Sequence, residues 1–196
     1  MSEINLAILA SGSGTNAENI AHYFKGHKNI RISLIGSNKP DAYVLTRAQN
    51  LNIPFFIFSK NELQGGHVEK KFKGSRIHYV ILAGFLLKIP QPMILSFPDR
   101  IINIHPALLP KYGGQGMYGD NVHKAIIANN ETISGITIHL VNENYDEGEI
   151  LNQVNCTVDP SDTFSSLAGK IHKLEYDHYP KTIEDYILTH RSGLGK

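Results

Sequence analysis

Short apolar runs alternate with stretches of helical spacing along the first hundred residues. Asn5-Leu6-Ala7-Ile8-Leu9-Ala10 predicts a strand buried on both faces of a parallel sheet. The Gly-rich turn Ser11-Gly12-Ser13-Gly14-Thr15-Asn16 follows it, and Ala17, Ile20, Ala21 and Phe24 then recur at helical spacing. Ile30–Gly36 predicts a second strand, Ala42–Gln49 a helix, Phe55–Phe58 a third strand and Tyr79–Ala83 a fourth. A turn rich in proline (Pro90, Pro92, Pro98) precedes a fifth strand at Ile101–Ile104. A polar loop from Lys111 to Asn121 then leads into a helix near Val122–Ala128.

Past that point the pattern turns to alternation. Gly135–Val141 and Ile150–Val154 predict an antiparallel pair, and Thr163–Ile187 a long helix bent or broken at Pro180. Together these predict one α/β domain: a doubly wound, mostly parallel, Rossmann-like sheet with an antiparallel pair in its C-terminal part.

Composition narrows the chemistry. The 196 residues carry 19 Lys plus Arg against 18 Asp plus Glu, a net charge of +1 without a basic stripe, so no nucleic-acid partner is expected. No apolar run reaches the roughly 18 residues of a spanning helix, and Met1-Ser2-Glu3-Ile4 lacks a basic leader, so no membrane association is expected. The single cysteine, Cys156, suits a reducing, cytoplasmic home. The 10 histidines form no paired helical motif, and no metal site is expected.

Two places could carry chemistry. The Ser11–Asn16 turn ends a strand and opens a helix, where unpaired N–H groups and the helix dipole suit a phosphate. A plain capped turn would share its composition. Gly12-Ser13-Gly14-Thr15-Asn16-Ala17 also fits a loose dinucleotide pattern, but the second strand ends in Gly36-Ser37-Asn38-Lys39, without the acid that such a site needs. A nicotinamide enzyme or a non-catalytic phosphate-binding module therefore remains an alternative at this level. Asn103 and His105 lie two apart at the carboxyl end of a strand, so their side chains share one side. A histidine packed at a strand end would look the same. The loop Asn142–Gly148 supplies carboxylates, of which Asp146 alone would pass for a turn residue.

The order SGSGTN, ILAGF, INIHPALLPKYGG, SGITIHLVNENYDEG and HKLEYDHYP resembles the folate-dependent formyltransferases, and within them the phosphoribosylglycinamide formyltransferase branch. The resemblance runs from Leu6 to about Tyr186 and implies transfer of a formyl group from 10-formyltetrahydrofolate to the amine of glycinamide ribonucleotide. It implies catalytic roles for Asn103, His105 and Asp146. Gly14, Thr15 and Asn16 match the ribonucleotide phosphate contact, and His172, Lys173, Leu174 and Glu175 a second substrate contact. Leu86, Leu87, Lys88 and Ile89, with Asn103 and Asn142, Glu143, Asn144, Tyr145 and Asp146, match the segments that hold the folate. Asp146 is expected to favour a charged His105, and Asn103 and His105 to donate to the formyl oxygen. The resemblance implies no metal. Related tRNA-directed transferases and formyltetrahydrofolate deformylases carry a further domain, which sets them behind this reading.

Overall fold

A computed structural model describes residues 3–190. They group into two compact units that divide between Ile102 and Asn103. In chain order the elements are β1 (Ile4–Leu9), α1 (Thr15–Tyr23), β2 (Ile30–Ser37), α2 (Tyr43–Asn50), β3 (Phe55–Ile57), α3 (Lys60–Gln64), α4 (His67–Gly74), β4 (Tyr79–Leu82), α5 (Gln91–Ser96), β5 (Ile101–His105), α6 (Asp120–Ala128), β6 (Ile133–Leu140), β7 (Ile150–Thr157) and α7 (Phe164–His190). The fold class is the predicted one, α/β with a doubly wound, mostly parallel sheet that ends in an antiparallel pair.

In the first unit the strand order is β3-β2-β1-β4, and β1 pairs in parallel with β2 and β4, as β2 does with β3. Leu6, Ala7, Ile8 and Leu9 are fully buried, which is why this strand lacks alternation. The chain runs from β1 outward to β2 and β3, then returns to place β4 on the other flank of β1. That reversal makes the carboxyl ends of β1 and β4 a topological switch point, where ligands of open α/β sheets bind. In the second unit the order is β5-β6-β7, and β6 pairs antiparallel with β7 from Ile133↔Thr157 to His139↔Ile150. Gly135 lets this pair close: a Cβ there would stand 2.1 Å from the Val154 carbonyl oxygen.

Two local expectations change, and one segment carries helices that the pattern did not predict. The proline-rich stretch holds a short helix, α5, because Pro92 stands in its first turn, where no N–H is needed. The segment after Phe58 forms α3 and α4. Ser59 opens α3 with a full capping box, its hydroxyl accepting from the Glu62 N–H while the Glu62 carboxylate accepts from the Ser59 N–H. Finally, α7 is not broken at Pro180 but continues to His190. One missing N–H costs a single helix bond, while Leu167, Ile171, Tyr179, Ile183 and Ile187 bury one apolar stripe along the whole length.

Candidate active site

The turn after β1 has its carbonyls and amides sorted. Gly12 O accepts from Val44 N (3.2 Å), Ser13 O from Arg47 Nε (2.9 Å) and Gly14 O from Glu18 N (2.9 Å). Arg47 is fixed for this by an ion pair with Glu18. The backbone N–H groups of Gly12, Ser13, Gly14 and Thr15 have no partner among the described residues. Carbonyls engaged on one side and free amides at the start of α1 make a nest for an anion. Gly14, the N-cap, has φ +75°, and a Cβ there would lie 2.4 Å from Val44 Cγ2. Its glycine is demanded by packing against α2 as well as by the turn. Gly12 differs, since a side chain there would enter open space.

Period two brings Asn103 and His105 to the same side of β5, and the same spacing in β6 supplies His139. His105, His139 and half of Asn103 are buried, and all three address the Asp146 loop or each other. His105 Nδ1 lies 3.5 Å from Asp146 Oδ2, and His139 Nε2 lies 3.6 Å from Asp146 Oδ1. These are charge contacts, longer than hydrogen bonds. Asp146 Oδ2 also accepts from the Gly114 N–H at 2.9 Å.

The carbonyl partners assign the ring protons. His105 Nε2 is 2.7 Å from the Tyr112 carbonyl oxygen, which can only accept, so Nε2 carries a hydrogen. By the same argument His139 donates from Nδ1 to the Leu140 carbonyl at 2.7 Å. Its Nε2 is then free to accept from the Asn103 amide, 3.1 Å away. This uses one amide hydrogen of Asn103 and leaves the second to donate elsewhere.

A glycine brings the Asp146 loop in. A Cβ at Gly148 would stand 1.8 Å from the Leu140 carbonyl oxygen, so the Asp-x-Gly sequence lets the chain fold back on the end of β6 and carry Asp146 to His139. Asp146 itself has φ +57° and Tyr112 φ +58°, two strained residues whose groups meet at this one site. Tyr112 is held by its hydroxyl, which donates to Glu131 Oε1 (2.9 Å) and accepts from Asn129 Nδ2 (3.1 Å).

At His105 burial and charge oppose each other, with Asp146 pulling toward the charged form as expected. Burial pushes His105 below the ordinary histidine range, and the Asp146 carboxylate, though it pulls upward, does not outweigh it. Burial would raise the Asp146 carboxyl, but the His139 contact, His105 and the Gly114 N–H together hold it below its usual range.

The remaining predicted residues fall in two groups. Gly14, Thr15, Asn16 and Leu86–Ile89 lie in the first unit, with Leu86 and Lys88 exposed and Ile89 buried. Asn142, Glu143, Asn144 and Tyr145 lie on the Asp146 loop, closed by Asn142 Oδ1 accepting from Asn144 N (3.0 Å) and by Asn144 Nδ2 donating to Glu147 (2.8 Å). His172–Glu175 lie on α7, with His172 and Lys173 exposed and Glu175 buried. His139 and the Tyr112 and Gly114 backbone were not foreseen. The signal for His139 was there: Thr137 and His139 are buried polar residues at period two in the mostly apolar β6.

The formyl transferase family model matches residues 4–183. A phosphoribosylglycinamide formyltransferase of Bacillus subtilis is 32% identical over 193 residues, which cover 95% of this chain and 96% of that protein. The chloroplastic phosphoribosylglycinamide formyltransferase of Arabidopsis thaliana is 37% identical over 185 residues, and this chain spans only 63% of its length. Among solved structures, the phosphoribosylglycinamide formyltransferase of Bacillus halodurans superposes with a TM-score of 0.85 at 32% identity, covering 93% of this chain and 95% of that one. No described helix is long and apolar enough to cross a membrane. The chain belongs to the formyl transferase family and, within it, to the phosphoribosylglycinamide formyltransferases.

Proposed function

We propose that this chain, acting as one formyltransferase domain, transfers the formyl group of 10-formyltetrahydrofolate to the amine of glycinamide ribonucleotide. The products are N-formylglycinamide ribonucleotide and tetrahydrofolate, a step of purine biosynthesis. The observation that carries this reading is the convergence of His105 and His139 on Asp146, with Asn103 bonded to His139. Charge, cysteine usage and the absence of a basic stripe support a cytoplasmic enzyme of small molecules, without a nucleic-acid or membrane partner.

In the reaction the amine nitrogen bonds to the formyl carbon, the bond from that carbon to the folate nitrogen breaks, and the amine proton moves to that nitrogen. Negative charge grows on the formyl oxygen meanwhile. The free amide hydrogen of Asn103 and the Nε2–H of His105 are the two donors for it, the latter exchanging the Tyr112 carbonyl for the substrate oxygen. His105 already carries that hydrogen on Nε2. Asp146, kept ionised, takes the amine proton and relays it to the leaving nitrogen. Gly14, Thr15 and Asn16 hold the ribonucleotide phosphate in the amide nest of the first unit, and His172–Glu175 contact the ribonucleotide further along. Leu86–Ile89 and Asn142–Asp146 hold the folate.

A turnover assay with purified protein and both substrates tests the reading. Tetrahydrofolate should form only when the ribonucleotide is present. Product formation from formate plus ATP, with none from the formylated folate, would overturn it.

A further inference from the structure

Ser11 is 2% exposed, and its hydroxyl sits in a directional chain. Leu86 N–H donates to Ser11 Oγ at 3.0 Å, and Ser11 Oγ donates to Asn38 Oδ1 at 2.6 Å. A hydroxyl has one hydrogen, so giving it to Asn38 turns a lone pair toward Leu86. The Ser11 backbone N–H adds a bond to the Gly84 carbonyl at 3.0 Å. Three strand ends, those of β1, β2 and β4, are therefore tied at one serine on the switch point of the first unit.

The two segments joined in this way are the ones assigned to the two substrates. The nest Gly12–Thr15 begins one residue after Ser11, and the folate segment begins at Leu86 itself. Leu86 and Lys88 are exposed with no helix or strand to fix them, so the Leu86 N–H bond is the first constraint on where that segment starts. We propose that Ser11 is a positioning residue shared by both substrate-binding segments, with its hydroxyl setting the folate segment in register with the phosphate nest and Asn38 orienting that hydroxyl. The assignment rests on the substrate reading above. Ser11 touches neither reacting atom and acts through the backbone it holds.

The test is a steady-state comparison of wild type, Ser11→Ala, Asn38→Ala and the double variant, with melting temperatures measured alongside. Ser11→Ala should raise KM for both the folate and the ribonucleotide, by about five- to tenfold for the loss of a neutral hydrogen bond, while kcat stays within about threefold. Asn38→Ala should shift both in the same direction by less. The double variant should match Ser11→Ala, because Asn38 acts only through the hydroxyl. A rise in one KM alone, additive effects, or a lower melting temperature with both KM values unchanged would overturn the proposal. Should the wild type not turn over these substrates, the substrate reading fails separately. Calorimetric titration with tetrahydrofolate and with inorganic phosphate then decides on Ser11: weaker binding of both by Ser11→Ala supports it, and unchanged or absent binding overturns it.

Discussion

Asp146 Oδ2 takes the Gly114 N–H and faces the His105 ring, while Oδ1 faces His139, so the carboxylate is both an acceptor and the centre of the cluster. Asp146→Asn keeps the shape but removes the charge and the proton acceptor. We expect kcat to fall by a factor corresponding to several kcal/mol, with both KM values little changed, since the loss is felt as charge develops. A kcat within about threefold of wild type would make Asp146 a turn residue. His139→Phe leaves similar volume yet deprives Asn103 of its acceptor and Asp146 of a neighbour. A misplacement of about 1 Å can cost roughly a hundredfold, so kcat should drop by ten- to a hundredfold; unchanged kcat in a pre-steady-state comparison would show that Asn103 is held by other means. The sequence made Asn103 and His105 visible through their spacing, and Asp146 through the Asp-x-Gly resemblance. His139 escaped because its one signal, a buried polar residue two positions from Thr137, does not tell a site histidine from a packed one. The Tyr112 carbonyl and Gly114 amide escaped because backbone groups leave no trace in side-chain identity.

At the scale of elements, the turn between β1 and α1 gives a paired prediction. Gly14→Ala brings a Cβ into Val44 at positive φ, and so should lower the melting temperature as well as raise the ribonucleotide KM. A Cβ at Gly12 meets nothing within 4 Å, so Gly12→Val should raise that KM with little change in melting temperature. If Gly12→Val leaves the KM alone, the free amides are not the phosphate contact. Ser59→Ala removes a capping box remote in sequence from every assigned site residue and should cost about 1 kcal/mol in urea unfolding without altering turnover. The strands that are buried on both faces were legible because nothing else produces uninterrupted apolar runs of that length. The helices α3 and α5 were not, since five or six residues give too few turns for periodicity to show and prolines mask a helix start. In α7 the proline rule was outweighed by eight buried positions spread along the helix.

The whole molecule should show its histidines in its pH response. Burial is the first cause holding His78, His105 and His123 below the ordinary histidine value. As pH falls through about 6.5, the unfolded chain takes up protons that the folded chain resists. The unfolded state then binds more protons, so stability is complete above that pH and declines toward the depressed folded values. The lowered Asp146 acts in the same direction, its contribution being lost only as pH falls through its own, more acidic folded value. Urea midpoints should therefore be lower at pH 5.5 than at 7.5, and an equal or higher midpoint at 5.5 would contradict the assignment.

The central claim is that a formyl group passes from folate to an amine under the charge of Asp146. It is met most directly by incubating the protein with 10-formyltetrahydrofolate bearing a carbon-13 formyl group and with glycinamide ribonucleotide, then weighing the ribonucleotide by mass spectrometry. The account predicts a ribonucleotide heavier by one labelled formyl group with the wild type, and almost none at matched times with Asp146→Asn. An unlabelled ribonucleotide with the wild type, or equal labelling by the two proteins, would contradict it.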